Sequence, residues 1–146
     1  MISFLKKRAL KKRIEKLDAT ILNNIVSIES IFKEKIFFNR DIDDIKLRAI
    51  AVAGVLHACT EMRQLYANDE LIGKSLFYSC MRFAPVEYTD LIIDLAEELN
   101  HPKKNINENF WPCYSSKTDD QGDLAIVYMA LIDIAPVVGS NIINNY

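Results

Sequence analysis

A chain of 146 residues, half of them hydrophobic and 26% charged, suits one globular domain and is too apolar to stay disordered. Its three cysteines show no C-x-x-C and no metal-type spacing, which argues against a zinc module and a disulfide framework and points to a reducing cytoplasm. The formal charge of −2 hides an asymmetry: residues 1–16 hold seven Lys/Arg and one acid, while residues 17–146 hold eleven bases against nineteen acids, net −8.

By charge, that acidic body repels nucleic acid and attracts basic partners. Glycines and prolines total eight, so few turns are obligatory and long helices with few connections follow. High Ile, Asn and Lys usage points to an AT-rich coding origin, bacterial or phage.

The opening MISFLKKRALKKRIEK is basic but lacks a continuous apolar run, so it does not read as a secretory signal. Its bases Lys6, Lys7, Arg8, Lys11, Lys12, Arg13 and Lys16 fall all round a helical wheel, whereas Leu10, Ile14 and Leu17 form a narrow stripe. A helix lying in a membrane surface segregates charge from apolar surface. The plain reading is therefore a solvated basic end on a bundle helix. A docking arm for phosphates or anionic lipid is its functional alternative. The stripe continues through Ile21, Ile25, Ile28, Phe32 and Ile36, near an 11-residue repeat, which predicts a long and fairly straight helix.

Phe37 to Arg40 end this helix, and Asp41 is the expected N-cap of the next, with Asp43 and Asp44 in its first turn. From Asp41 to Tyr66, Ile42, Ile45, Ala49, Val52, Leu56 and Cys59 line one face. Between Ala49 and Cys59 the other faces are apolar too, through Ile50, Ala51, Ala53, Gly54, Val55 and Ala58. That is the pattern of a central core helix, and its small residues let neighbours pack close. The apolar run of about 11 residues is too short to span a bilayer.

Asn68-Asp69-Glu70 marks the next break, and LIGKSLFYSCMRFA reads as a shorter helix. Pro85 closes it or opens the following one, in which Tyr88, Leu91, Ile92, Leu95 and Leu99 recur at helical spacing. Residues 101–122 show no sustained period and read as a long loop. The loop carries Phe110, Trp111 and Tyr114, rigid aromatics suited to anchoring a partner or to covering an open end of the core. Asp119, Asp120 and Asp123 follow, either as part of the same partner surface or as caps of the last helix. Leu124–Ile143 predicts a second buried helix beside the central one, kinked or ended near Pro136. Asp133 in its middle argues against a membrane span and should lie at the rim or face a polar partner.

Catalytic constellations are sparse. His57 and Glu61 lie one turn apart, and Glu98 with His101 forms a Glu-x-x-His of the kind used in helical di-iron bundles. The second such motif is absent, because Gly54 stands where its glutamate would be. The four residues could converge on one metal, but the expectation is a hydrogen-bonded core or rim histidine and no metal or cofactor. Asp90, Asp94, Glu97 and Glu98 read as a solvated helix face, and Cys59 and Cys80 as small buried hydrophobes. No G-x-S-x-G, Walker A, H-E-x-x-H or G-x-G-x-x-G is present.

The expected fold is all-α: a single-domain bundle of about five helices around Asp41–Tyr66, with Leu124–Ala135 beside it. The expected function is a non-enzymatic protein-binding module, of inhibitor or immunity type. It would engage a basic protein, a toxin or an enzyme, through its acidic body and Phe110, Trp111, Tyr114, Asp119, Asp120 and Asp123. The alternative is a peripheral membrane or nucleic-acid adaptor acting through the basic arm. The exposed face of the long first helix leaves self-association open.

Overall fold

The computed structural model describes residues 2–38, 42–61, 70–100 and 121–145. Among them are five α-helices and no strand, as the sequence predicts: α1 (Ile2–Ile31), α2 (Asp44–Glu61), α3 (Glu70–Arg82), α4 (Thr89–Asn100) and α5 (Gln121–Asn145).

The apolar stripe of α1 sinks into the core from Leu17 onward, where Ile21, Ile25, Ile28 and Phe32 are also fully buried. Before Leu17, Leu10 and Ile14 are only half-buried. A π-helical turn, Phe32–Ile36, closes the helix, and the Phe37 N–H donates to the Phe32 carbonyl at 2.7 Å. Five residues apart on an ideal α-helix, two side chains would face about 140° apart. The wider turn brings both inward: both phenylalanines are buried, with ring centroids 5.8 Å apart.

Asp43 caps α2. Its carboxylate accepts the Ile45 N–H at 2.7 Å, satisfying an N-terminal donor that has no intrahelical partner, and its carbonyl accepts the Leu47 N–H at 3.0 Å as the first bond of the helix. Asp41, the expected cap, lies outside the described residues. Every residue from Ala49 to Cys59 is buried, and α2 touches each of the other four helices. Ile45 departs from the expected core face and is largely exposed in the first turn, where the bundle has not yet closed around α2.

Gly54 sets how closely α2 is approached. A Cβ placed there would lie 2.6 Å from Leu131 Cδ2 on α5 and 3.4 Å from Ile28 Cδ1 on α1. Three helices therefore converge at a position that only hydrogen fills without displacement.

Polar ties hold the periphery. On α1, the Thr20 hydroxyl reaches the Asn145 carbonyl at 3.1 Å, and the Asn24 amide donates to Asn141 Oδ1 at 2.9 Å. These two bonds set α1 and α5 antiparallel, with the end of α5 beside Thr20. Asp18 accepts from the Ser79 hydroxyl and from Arg82, seating α3 on α1. Arg48 on α2 grips Glu29 on α1, Nη2 to Oε1 at 2.9 Å.

α5 differs from the expected second buried helix. It runs unbroken through Pro136 to Asn145, and only one face is buried, through Val127, Tyr128, Leu131, Ala135, Val138 and Ile142. Proline removes one N–H and in a helix interior costs about 3 kcal/mol. Pro136 lies on the exposed face, and the turns beyond it are held by buried Val138 and Ile142 and by the Asn141 and Asn145 ties. Those contacts offset the lost bond. Asp133 is exposed, beside Met129 and Val137, at the rim of the groove between α5 and α1. By length and composition alone, Ile126–Asn145 could cross a membrane; 39% of it is buried within the bundle.

The convergence at Gly54 makes a graded prediction. Gly54→Ala gains about 1 kcal/mol of helix propensity and loses a similar amount to displacement of Leu131, so its unfolding free energy should stay within about 1 kcal/mol of wild type. Gly54→Leu should lose about 3 kcal/mol or more, read as a lower urea midpoint at unchanged slope.

Candidate functional site

An exposed, strongly charged feature is the N-terminal part of α1. Residues 3–16 form continuous helix and none of their side chains is buried. At 1.5 Å per residue the segment spans about 21 Å. The end of α5 reaches Thr20 and Arg82 of α3 reaches Asp18, both at the base of this extension, which we call the arm. Phe4 and Leu5 stand 67% and 62% exposed at its tip. Lys6, Lys7, Arg8, Lys11, Lys12, Arg13 and Lys16 follow, all exposed. Along the axis the arm therefore runs from an apolar tip to a basic shaft, a segregation that a helical wheel cannot display. At its base Lys7, Leu10, Lys11, Ile14, Asp18 and Arg82 line a shallow groove of about 370 Å³.

The other predicted surface is mostly out of view. Phe110, Trp111, Tyr114, Asp119 and Asp120 lie outside the described residues, and Asp123 is the third residue of α5. A second acidic surface, read from sequence only as a solvated helix face, is described. Glu87, Asp90, Asp94 and Glu97 are exposed at spacings of 3, 4 and 3 along α4 and the 3-10 turn before it. No ion pair joins any of them to another described residue.

His57 is a satisfied core histidine. It is 2% exposed, and its Nδ1–H donates to Asn100 Oδ1 on α4 at 2.6 Å, with Nε2 at 4.0 Å from Glu61. Burial lowers its pKa below 6.5, outweighing the Asn100 bond and the Glu61 charge, which raise it. Glu98 lies on α4, and His101 lies outside the described residues. Among the described residues no three His, Cys, Asp or Glu cluster as metal ligands would. Sequence reasoning missed the groove between α1 and α5, about 660 Å³ in volume, where Thr20, Asn24 and Asn141 stand among a mostly apolar lining that includes Ile31, Ile134 and Val137. Its only signal was the placement of Thr20 and Asn24 beside an otherwise apolar stripe.

The sign of the His57 effect follows from linkage. A folded-state pKa below the unfolded 6.5 means the unfolded chain binds the proton more readily, so this contribution is complete above pH 6.5 and is lost as pH falls below it. The urea midpoint should drop between pH 7.5 and pH 5.5, and His57→Gln should flatten that drop; an unchanged slope in the variant would refute the assignment. No family model, no curated protein and no solved structure matches this chain.

Proposed function

We propose that the chain is a non-enzymatic peripheral adaptor that docks on an anionic lipid surface through the N-terminal arm of α1. The observation that carries this reading is the unburied helix over residues 3–16, with Phe4 and Leu5 at its tip and bases behind them. Entering end-on, the arm would place two apolar side chains below the headgroups and a ring of bases at phosphate level. Bases distributed round the shaft suit that approach, whereas a helix lying flat would need them on one face. The net −8 of residues 17–146 keeps the body itself off an anionic surface.

A second reading rests on a different surface. The exposed acidic row of α4 and the acidic body favour a basic protein partner, in the manner of an inhibitor or immunity protein, with Phe110, Trp111, Tyr114, Asp119, Asp120 and Asp123 as the expected contact set.

Vesicle co-sedimentation tests the first reading. The full chain should bind phosphatidylserine vesicles, prefer them to neutral phosphatidylcholine, and release as salt rises. At about 1 kcal/mol per base, replacing Lys6, Lys7 and Arg8 by Gln should lower partitioning on the order of 100-fold. Equal binding to both vesicle types, or transfer of the salt-sensitive binding to DNA, would overturn it. For the second reading, affinity capture with Trp111→Ala should lose about 2 kcal/mol in affinity for a stoichiometric protein. Intact capture with a lowered Tm would show that Trp111 covers the core instead.

A further inference from the structure

One exposed face of α1 runs from Leu5 to Ile31, about 39 Å, at spacings of 3 and 4 that keep it on one side of the helix. Its positions mirror each other about a centre at Leu17–Asp18. Apolar Leu5 and Ile31 stand at the ends and small Ala9 and Ser27 inside them. Lys12 then answers Asn23, and Lys16 answers Ala19. The half from Lys16 to Ile31 is also one wall of the groove against α5. That groove extends about 22 Å along the axis and the arm about 21 Å. Ile31 and Val137, on opposite walls, are 38% and 72% exposed, so apolar surface lies open along it.

Charge complements this shape. The Thr20–Asn145 and Asn24–Asn141 bonds fix the antiparallel register of α1 and α5, which sets Asp133 level with Phe32 at the far end of the groove. Lys6 precedes Asn24 by 18 positions, a whole number of helical turns, so it points in the direction in which Asn24 meets α5. Within one chain Lys6 and Asp133 are about 39 Å apart along the axis. Neither forms an ion pair with a described residue.

We infer that two copies of the chain pair through α1, antiparallel about a two-fold axis at Leu17–Asp18, each arm seated in the groove of the other. Leu5 packs on the partner's Ile31. Ala9 meets the partner's Ser27 with little side chain between them, so the helices approach closely. Lys12 and Lys16 run their stems across the contact and keep their ammonium groups in water. Lys6 comes within one turn of the partner's Asp133. The contact is isologous: two arms fill two grooves, and the pair closes without recruiting a third copy. This pairing does not depend on lipid docking. One consequence rests on that reading: a seated arm is withheld from the bilayer, so dimer and membrane-bound chain are exclusive states.

Sedimentation equilibrium of the full chain in lipid-free buffer tests the pairing. The mass should rise with concentration from 16.7 kDa towards twice that value and no further. Lys6→Glu should raise the dissociation constant about 10-fold, and adding Asp133→Lys should restore it. Both side chains are exposed, so an unchanged Tm in each variant shows the fold intact. Register is read by crosslinking in a Cys113→Ser background, in which Cys59 and Cys80 are buried. Ala9→Cys with Ser27→Cys sets two thiols about 27 Å apart in one chain, so a disulfide between them can only join two copies. Peptide mapping of the oxidised dimer should recover position 9 of one copy joined to position 27 of the other. A mass fixed at 16.7 kDa, position 9 joined to position 9 instead, a Lys6→Glu variant that pairs as wild type, or a loss that Asp133→Lys leaves unrescued would overturn the inference.

Discussion

The absence of a side chain at Gly54 governs this bundle. With no Cβ there, Leu131 of α5 and Ile28 of α1 lie close against the backbone of α2, and the apolar run from Ala49 to Cys59 is enclosed on all sides. Dense packing of this kind tolerates little added volume. It also leaves α2 no surface for chemistry. Its polar side chains are either His57, held by Asn100, or lie at the two ends of the helix, as Asp44 and Glu61 do. Recognition is therefore left to the residues around α2.

How much of this could be read from the residues depends on what each pattern encodes. Period fixes a buried face, so the stripe from Leu17 to Phe32 and the all-apolar run of α2 were legible, as were Ile92, Leu95 and Leu99 on α4. Period does not say where a neighbour stops. Ile45 is in phase with the α2 core face yet 45% exposed, in a shallow groove with Phe83 and Pro85. Nor does it say which tertiary contacts will outweigh a local penalty: Pro136 reads as a kink or a stop, but the carboxamides of Asn24 and Asn141 hold the chain on its far side. Pairings across the sequence, such as Asp18 with Ser79 or Asn24 with Asn141, carry no local signal at all.

The site was legible in part. The seven bases of residues 1–16 were plain, but a wheel projection collapses the axis, and the arm's segregation lies along that axis. Only the depth at which α1 enters the core, at Leu17, shows that no side chain of the preceding turns, residues 3–16, is fully buried. The exposed acids of α4 were also in the sequence; their lack of described basic partners was not, since that depends on which cations the fold places nearby.

The continuity of α1 has a mechanical side. Residues 17–32 are clamped in the core over about 24 Å, and residues 3–16 project over about 21 Å as the same helix. The helix is a cantilever with its pivot near Asp18, where Ser79 and Arg82 brace it. With free and clamped lengths nearly equal, a sideways load at the tip meets a reaction of similar size in the core, without leverage in either direction. Whatever grips the tip is joined to the body by a strut, and so it sets the body's tilt as well as its position.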